Sequence, residues 1–110
     1  MNILVLEAST TSAKAMLYDT DTGKFDVKSR AYTGNYEDVT MHKADNVYEQ
    51  MIALGREVAE GHEISMISLS GTWHSLFLCD QDMKPVTPVY LWSTPGLLRC
   101  ARSSGKIRRM

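Results

Sequence analysis

Asn2 to Asp19 reads NILVLEASTTSAKAMLYD, and the fold turns on how that run divides. Four branched apolar residues, Ile3, Leu4, Val5 and Leu6, make a strand that ends in a carboxylate, Glu7. Four hydroxyl residues, Ser9 to Ser12, follow, and a second strand begins at Ala13 and Lys14. A strand that stops at an acid and turns through hydroxyls sets an oxygen ligand beside hydroxyl and backbone N–H donors, which is what a Mg²⁺-bound phosphate needs. A polar hairpin turn that holds nothing has the same pattern, and both readings stand at this point.

Working outward, Ala13 to Tyr18 alternates as a strand does, with Ala13, Ala15 and Leu17 against Lys14, Met16 and Tyr18. Asp19 to Lys24 is a turn, with Asx side chains able to bond the backbone and Gly23 free to take positive φ. Phe25 to Tyr32 alternates again, so three strands with short connections predict an antiparallel meander. Thr33 to Ala44 is polar and irregular and predicts no element.

Asp45 is suited to cap a helix, and Glu49 lies near its first turn, where the helix dipole favours an acid. Val47, Met51, Leu54 and Val58, joined by Tyr48, Ile52 and Ala59, recur at helical spacing and predict a core-facing stripe, with Gly61 as the stop. Ile64 to Ser70 (ISMISLS) is a fourth strand. Strand, helix, strand in that order requires a crossover, so the fourth strand is expected parallel to a member of the meander. After the loop Gly71-Thr72-Trp73-His74, Ser75 to Asp80 predicts a fifth strand, and Val89 to Trp92 a short sixth.

The expected class is a mixed-sheet α/β domain of the ribonuclease H-like kind, in the order β-β-β-α-β-β. In open α/β sheets ligands sit beyond the carboxyl ends of parallel strands. If the first and fourth strands are neighbours, Glu7–Ser12 and Gly71–His74 leave the sheet on one edge, and that edge is the site expected.

Composition bounds the function. A chain of 110 residues makes at most one domain, and 44% hydrophobic with 23% charged residues is ordinary for a globular protein. No apolar run approaches a membrane span. Glu7 interrupts the first hydrophobic run too early for a secretory leader, so a cytoplasmic setting is expected. Cys79 and Cys100 have no metal-type spacing and call for no disulfide. The net charge of −1 conceals an acidic body and a tail holding Arg99, Arg102, Lys106, Arg108 and Arg109 with no acid. That tail lacks the aromatic residues that stack on bases, so it is read as a solvated, disordered end, and no nucleic-acid or membrane partner is expected. His42 and His62 flank the helix without ligand-like partners and receive no role.

Three segments together resemble the amino-terminal part of the FGGY carbohydrate kinases, within the actin-like ATPase superfamily. Leu6-Glu7-Ala8-Ser9-Thr10-Thr11-Ser12-Ala13-Lys14 is similar to that family's first phosphate motif, Asp-x-Gly-Thr-Thr-Ser-x-Lys. Ile67 to Ser75 (ISLSGTWHS) resembles its sugar-contacting segment, and Pro88-Val89-Tyr90-Leu91-Trp92 its Pro-x-x-x-Trp. His74-Ser75-Leu76 leans toward the gluconate kinase branch, with xylulose kinases close behind.

The resemblance implies an ATP- and Mg²⁺-dependent kinase acting on a sugar or sugar acid. It implies that Glu7 organises the metal, that Thr10, Thr11, Ser12 and Lys14 face the ATP phosphates, and that Thr72, Trp73, His74 and Trp92 line the sugar pocket. The sequence departs from the family at Glu7, which stands for an Asp, and at Ser9, which stands for a Gly. Ser93-Thr94-Pro95-Gly96 follows Trp92 in place of the family's Asp and Arg. Residues 1–93 are accordingly expected to be a partial sugar-side domain and 94–110 its basic tail, with no catalytic base present. Such a chain is expected to be inactive alone. The alternative is a remnant that binds sugar weakly or self-associates through exposed apolar surface. A third reading is a related phosphotransferase or a sugar-sensing regulator.

Overall fold

The computed structural model describes residues 1–72 and 74–94. Three strands open the chain: β1 (Asn2–Ala8), β2 (Ser12–Asp19) and β3 (Phe25–Ala31). They form the antiparallel meander that their alternation predicts, with Leu6 opposite Ala15 and Met16 opposite Val27. Asp19 closes the second turn by accepting from the Asp21 N–H at 2.9 Å and the Thr22 hydroxyl at 3.0 Å.

A two-residue strand, β4 (Met41–His42), precedes helix α1 (Ala44–Ala59). The helix starts one residue before the expected cap: Lys43 occupies the N-cap without a side-chain bond, and Asp45 lies inside the first turn. Its carboxylate still meets the positive end of the helix dipole from there. Gly61, at φ 77, ends the element as a residue without Cβ can. Next come β5 (Met66–Ser70) and β6 (Val89–Tyr90).

The main sheet runs β3-β2-β1-β5, and β5 is parallel to β1, with Leu6 opposite Leu69 and Glu7 opposite Ser70. Leu4, Leu6, Ala13, Ala15 and Leu17 share the sheet face that meets Leu54 and Val58 of α1, and together they form the core. Gly55 lets that approach happen: a Cβ there would stand 2.6 Å from a methyl of Leu6. Tyr48, expected on the core stripe, is exposed.

The expected fifth strand does not form. Residues 75–80 make only isolated bridges, Leu76 to Tyr90 and Cys79 to Pro85. Pro85 and Pro88 carry no N–H to donate, and the Leu78 N–H goes to the Thr87 hydroxyl at 2.9 Å instead of to a ladder carbonyl. The sixth strand is shorter than expected and lies outside the main sheet, paired antiparallel with β4. Its partner falls within the stretch that predicted no element. The element order is therefore β-β-β-β-α-β-β. Cys79 is a free thiol, while Cys100, Trp73 and the tail beyond Thr94 lie outside the described residues. No helix among the described residues is long and apolar enough to cross a membrane.

Candidate functional site

Because β1 and β5 run side by side with Glu7 level with Ser70, the two segments that follow them leave the sheet at one end. The first, Ser9 to Ser12, is tied down from both sides. The Ser9 N–H donates to the Ser12 carbonyl at 3.0 Å, and the Ser9 hydroxyl donates to the same oxygen at 2.8 Å. Tyr32 supplies two more bonds. Its N–H donates to the Thr11 carbonyl at 3.1 Å and its hydroxyl to the Ser9 carbonyl at 3.0 Å. Partial burial, with Glu7 nearby, pushes the Tyr32 phenol up to about 12, so it stays protonated and donating.

His42 completes the frame. It is buried, stands edge-on to the Tyr32 ring at 5.1 Å, and lies near the Thr10 main chain. Burial lowers its pKa, and the nearby Thr10 main chain opposes that shift.

Two cavities open on either side of His42. One, of about 340 Å³, lies where β1 and β5 meet α1 and is lined by Ser9, Tyr48, Met51, Thr72, Ser75 and His42. The other, of about 350 Å³, holds Thr10, Thr11, Tyr32, Asn35, Tyr36 and His42. The structure therefore brings Thr72 to the hydroxyl turn, where it meets Ser9, whereas Thr10 and Thr11 face the neighbouring cavity. The Ser12 hydroxyl turns inward, 3.2 Å from that of Ser9.

Glu7 and Lys14 are not part of either cavity. They are cross-strand partners on the sheet face away from α1, with a 3.9 Å ion pair between half-exposed side chains. They flank a recess of about 210 Å³ with Val5, Met16 and Val27. Strand parity dictates this: Leu6 and Ala13 enter the core, so Glu7 and Lys14 must point the other way. Among the described residues no three His, Cys, Asp or Glu side chains gather as metal ligands. Mg²⁺ is held by one or two carboxylates with phosphate oxygens completing an octahedron. Glu7 is the carboxylate that flanks the recess on this face, and it is ion-paired with Lys14.

On the second segment, the Thr72 and Ser75 hydroxyls are 3.0 Å apart. His74 is exposed and left-handed, at φ 55, and Trp92 is exposed as well. Neither lines the two cavities. Trp73, the remaining expected sugar contact, falls outside the described residues.

Reading the residues alone passed over His42, Tyr32 and Tyr48. The signal for Tyr32 was available, since it continues the β3 alternation directly into the turn. His42 offered none, because its partners are reached only through tertiary structure.

The fold of this chain is similar to part of several solved sugar kinases. Gluconate kinase from Lactobacillus acidophilus superposes with a TM-score of 0.76 at 21% identity, over 98% of this chain and 23% of that one. Xylulose kinase from the same organism gives 0.75 at 19% identity, over 98% and 24%. Plasmodium falciparum glycerol kinase with ADP gives 0.68 at 18%, over 83% and 20%. The chain spans about a quarter of the length of the solved kinases it matches. No family model and no curated protein matches the sequence.

Proposed function

We propose that this chain is the amino-terminal, sugar-side portion of an FGGY-type carbohydrate kinase, on the ribonuclease H-like scaffold of actin-like ATPases. The reaction is phosphorylation of a hydroxyl on gluconate, xylulose or a related polyol. The observation that carries the reading is the level parallel pairing of β1 and β5, which gives Ser9 and Thr72 one cavity. In this reading Thr10, Thr11 and Ser12 meet the ATP phosphates and Thr72 and Trp73 the sugar, whereas Lys14, His74 and Trp92 stand outside the two cavities and join them only from there. Glu7 takes part in holding Mg²⁺. The setting is cytoplasmic.

Phosphoryl transfer asks a protein for alignment and charge neutralisation more than for covalent chemistry. This chain offers alignment: hydroxyls fixed on a braced turn, next to a second hydroxyl pair at Thr72 and Ser75. It assigns no residue to take the proton from the attacking hydroxyl, and the chain alone is inactive. Calorimetric titration with gluconate, xylulose and Mg-ATP tests the reading, and binding of at least one sugar is expected. Absence of binding to all three removes the site, and steady ADP release from the purified chain removes the claim of inactivity.

A second reading, self-association, is favoured by β5, where Met66, Ile67 and Leu69 are 52%, 59% and 71% exposed. Apolar patches of this kind mark contact surfaces. Light scattering distinguishes an oligomer from a monomer.

A further inference from the structure

We infer that Asn35 is a further binding residue of the candidate site, whose side-chain –NH₂ donates to a ligand oxyanion in the cavity of Thr10 and Thr11. The inference rests on the kinase reading, in which those two hydroxyls meet phosphate; the carboxylate of a sugar acid has the same acceptor chemistry. Asn35 lines the same cavity of about 350 Å³, together with Tyr32, Tyr36 and His42. No Asp or Glu is among the described residues of that lining, so its polar side chains are hydroxyls, an amide and an imidazole. The Lys43 ammonium stands 5.1 Å from the centre of the Tyr36 ring, which puts a cation beside the same wall. Such a lining suits an oxyanion.

An asparagine amide has one acceptor end and one donor end. Two donors claim the acceptor end here: the Lys43 N–H reaches Asn35 Oδ1 at 3.1 Å, and the Asn46 Nδ2 reaches it at 3.0 Å. A main-chain N–H can only donate, so a flipped amide would set two donors against each other. The –NH₂ is the end left over, and among the described residues it donates to nothing.

The hold on Asn35 is itself braced from α1. The Asn46 amide also donates to the Thr33 carbonyl at 2.7 Å. Gln50 pairs with Thr33 in both directions, accepting from its N–H at 3.1 Å and donating to its carbonyl at 2.7 Å. Gln50 donates to Asn46 Oδ1 at 2.8 Å as well, so two amides one helical turn apart act as one clasp. Asn46 and Gln50 are therefore positioning residues: they fix residues 33–35 and present Asn35 already oriented. A donor held in place before the ligand arrives loses little freedom on binding.

Calorimetric titration with Mg-ATP, gluconate and neutral xylulose tests the inference. Binding of Mg-ATP identifies the oxyanion as phosphate, and binding of gluconate without Mg-ATP identifies it as carboxylate. Asn35→Asp keeps an acceptor for Lys43 and Asn46 and turns the leftover donor into an anion. It is expected to weaken the oxyanion ligand at least about tenfold while amide exchange at Lys43 stays as in the wild type. Equal affinity in the two proteins overturns the proposal and leaves the kinase reading standing. If Asn35→Asp does not fold, or exchange at Lys43 speeds up in it, the wild-type chain decides: the Asn35 –NH₂ signals in a ¹⁵N–¹H spectrum are expected to shift at saturation, and unmoved signals overturn the proposal. Binding of xylulose alone also overturns it. A wild-type chain that binds none of the three overturns the kinase reading together with the ligand assigned to Asn35.

Discussion

β3 and β5 are the two edges of one sheet, and they are protected in opposite ways. β3 carries Asp26, Lys28 and Arg30, and the two cations reach across to Glu57 of α1 at 3.3 and 2.9 Å. Charges along an edge discourage a further strand from adding. β5 reads MISLS, without a charge or a proline, and every one of its residues is exposed. Helix α1 packs across β1, β2 and β3. Both edge strands are exposed at every residue, but the meander edge is charged and the edge where the candidate site opens is not. Among the described elements, β5 supplies a parallel neighbour for β1, and therefore the site edge, without the packing against α1 that β3 has.

The same substitution on the two sides gives the largest expected contrast. Leu54→Ala removes a side chain that is 1% exposed, and thermal or urea unfolding is expected to register a loss of about 2–5 kcal/mol. Leu69→Ala trims a residue already 71% exposed, and its expected cost is within about 0.5 kcal/mol. A Leu69→Ala cost approaching that of Leu54→Ala means that β5 is covered in solution, which breaks the contrast and supports self-association. Leu69→Lys sharpens the point by giving β5 the kind of charge β3 already has. If copies of the chain meet at this edge, light scattering is expected to show the mass falling to the monomer in that variant. An unchanged oligomer moves the contact elsewhere.

Much of the covered side was legible in the residues. Period-two alternation in β2 and β3 and the helical stripe around Leu54 and Val58 are local signals, and burial against a partner does not reverse them. The parallel β1–β5 pair followed from strand, helix, strand order, a topological rule that needs no contact information. β4 was not legible, because a two-residue strand exists only through β6, almost fifty residues later. Residues 75–80 looked like a strand by composition, yet the partner stretch contains Pro85 and Pro88, and a strand cannot be read apart from what it pairs with. Glu7 is read beside the hydroxyl turn because it ends the strand before it, and Lys14 is assigned to the phosphates by the family resemblance. Their parity against Leu6 and Ala13 already placed them on the other face.

Acid is expected to affect the site side next. Burial holds the His42 pKa below its ordinary 6.5, so the unfolded chain takes up this proton first. The stability owed to a neutral His42 is whole above about pH 6.5 and is lost as pH falls through the folded value. Urea midpoints measured from pH 7.5 downward are expected to fall over that range in the wild type and to flatten in His42→Phe. Parallel curves for the two proteins place the titration elsewhere.

The smallest effect belongs to the protected edge. Glu57 is held below the usual carboxylate range, first by the hydrogen bond from Arg30 and then by that from Lys28. Its contribution is therefore present above the ordinary value of 4.5 and is lost as pH falls through the lower, folded one. All three side chains are more than 40% exposed, so water and salt screen the cluster. Glu57→Gln is expected to lower the melting temperature slightly in dilute buffer and not at all in ~1 M salt, where screening acts within about 3 Å. If the difference survives high salt, Glu57 works through packing of α1 on β3. The charges of that edge would then belong to the fold itself, and the contrast with β5 would lie in the contact of α1 with β3, with no part left for repulsion of incoming strands.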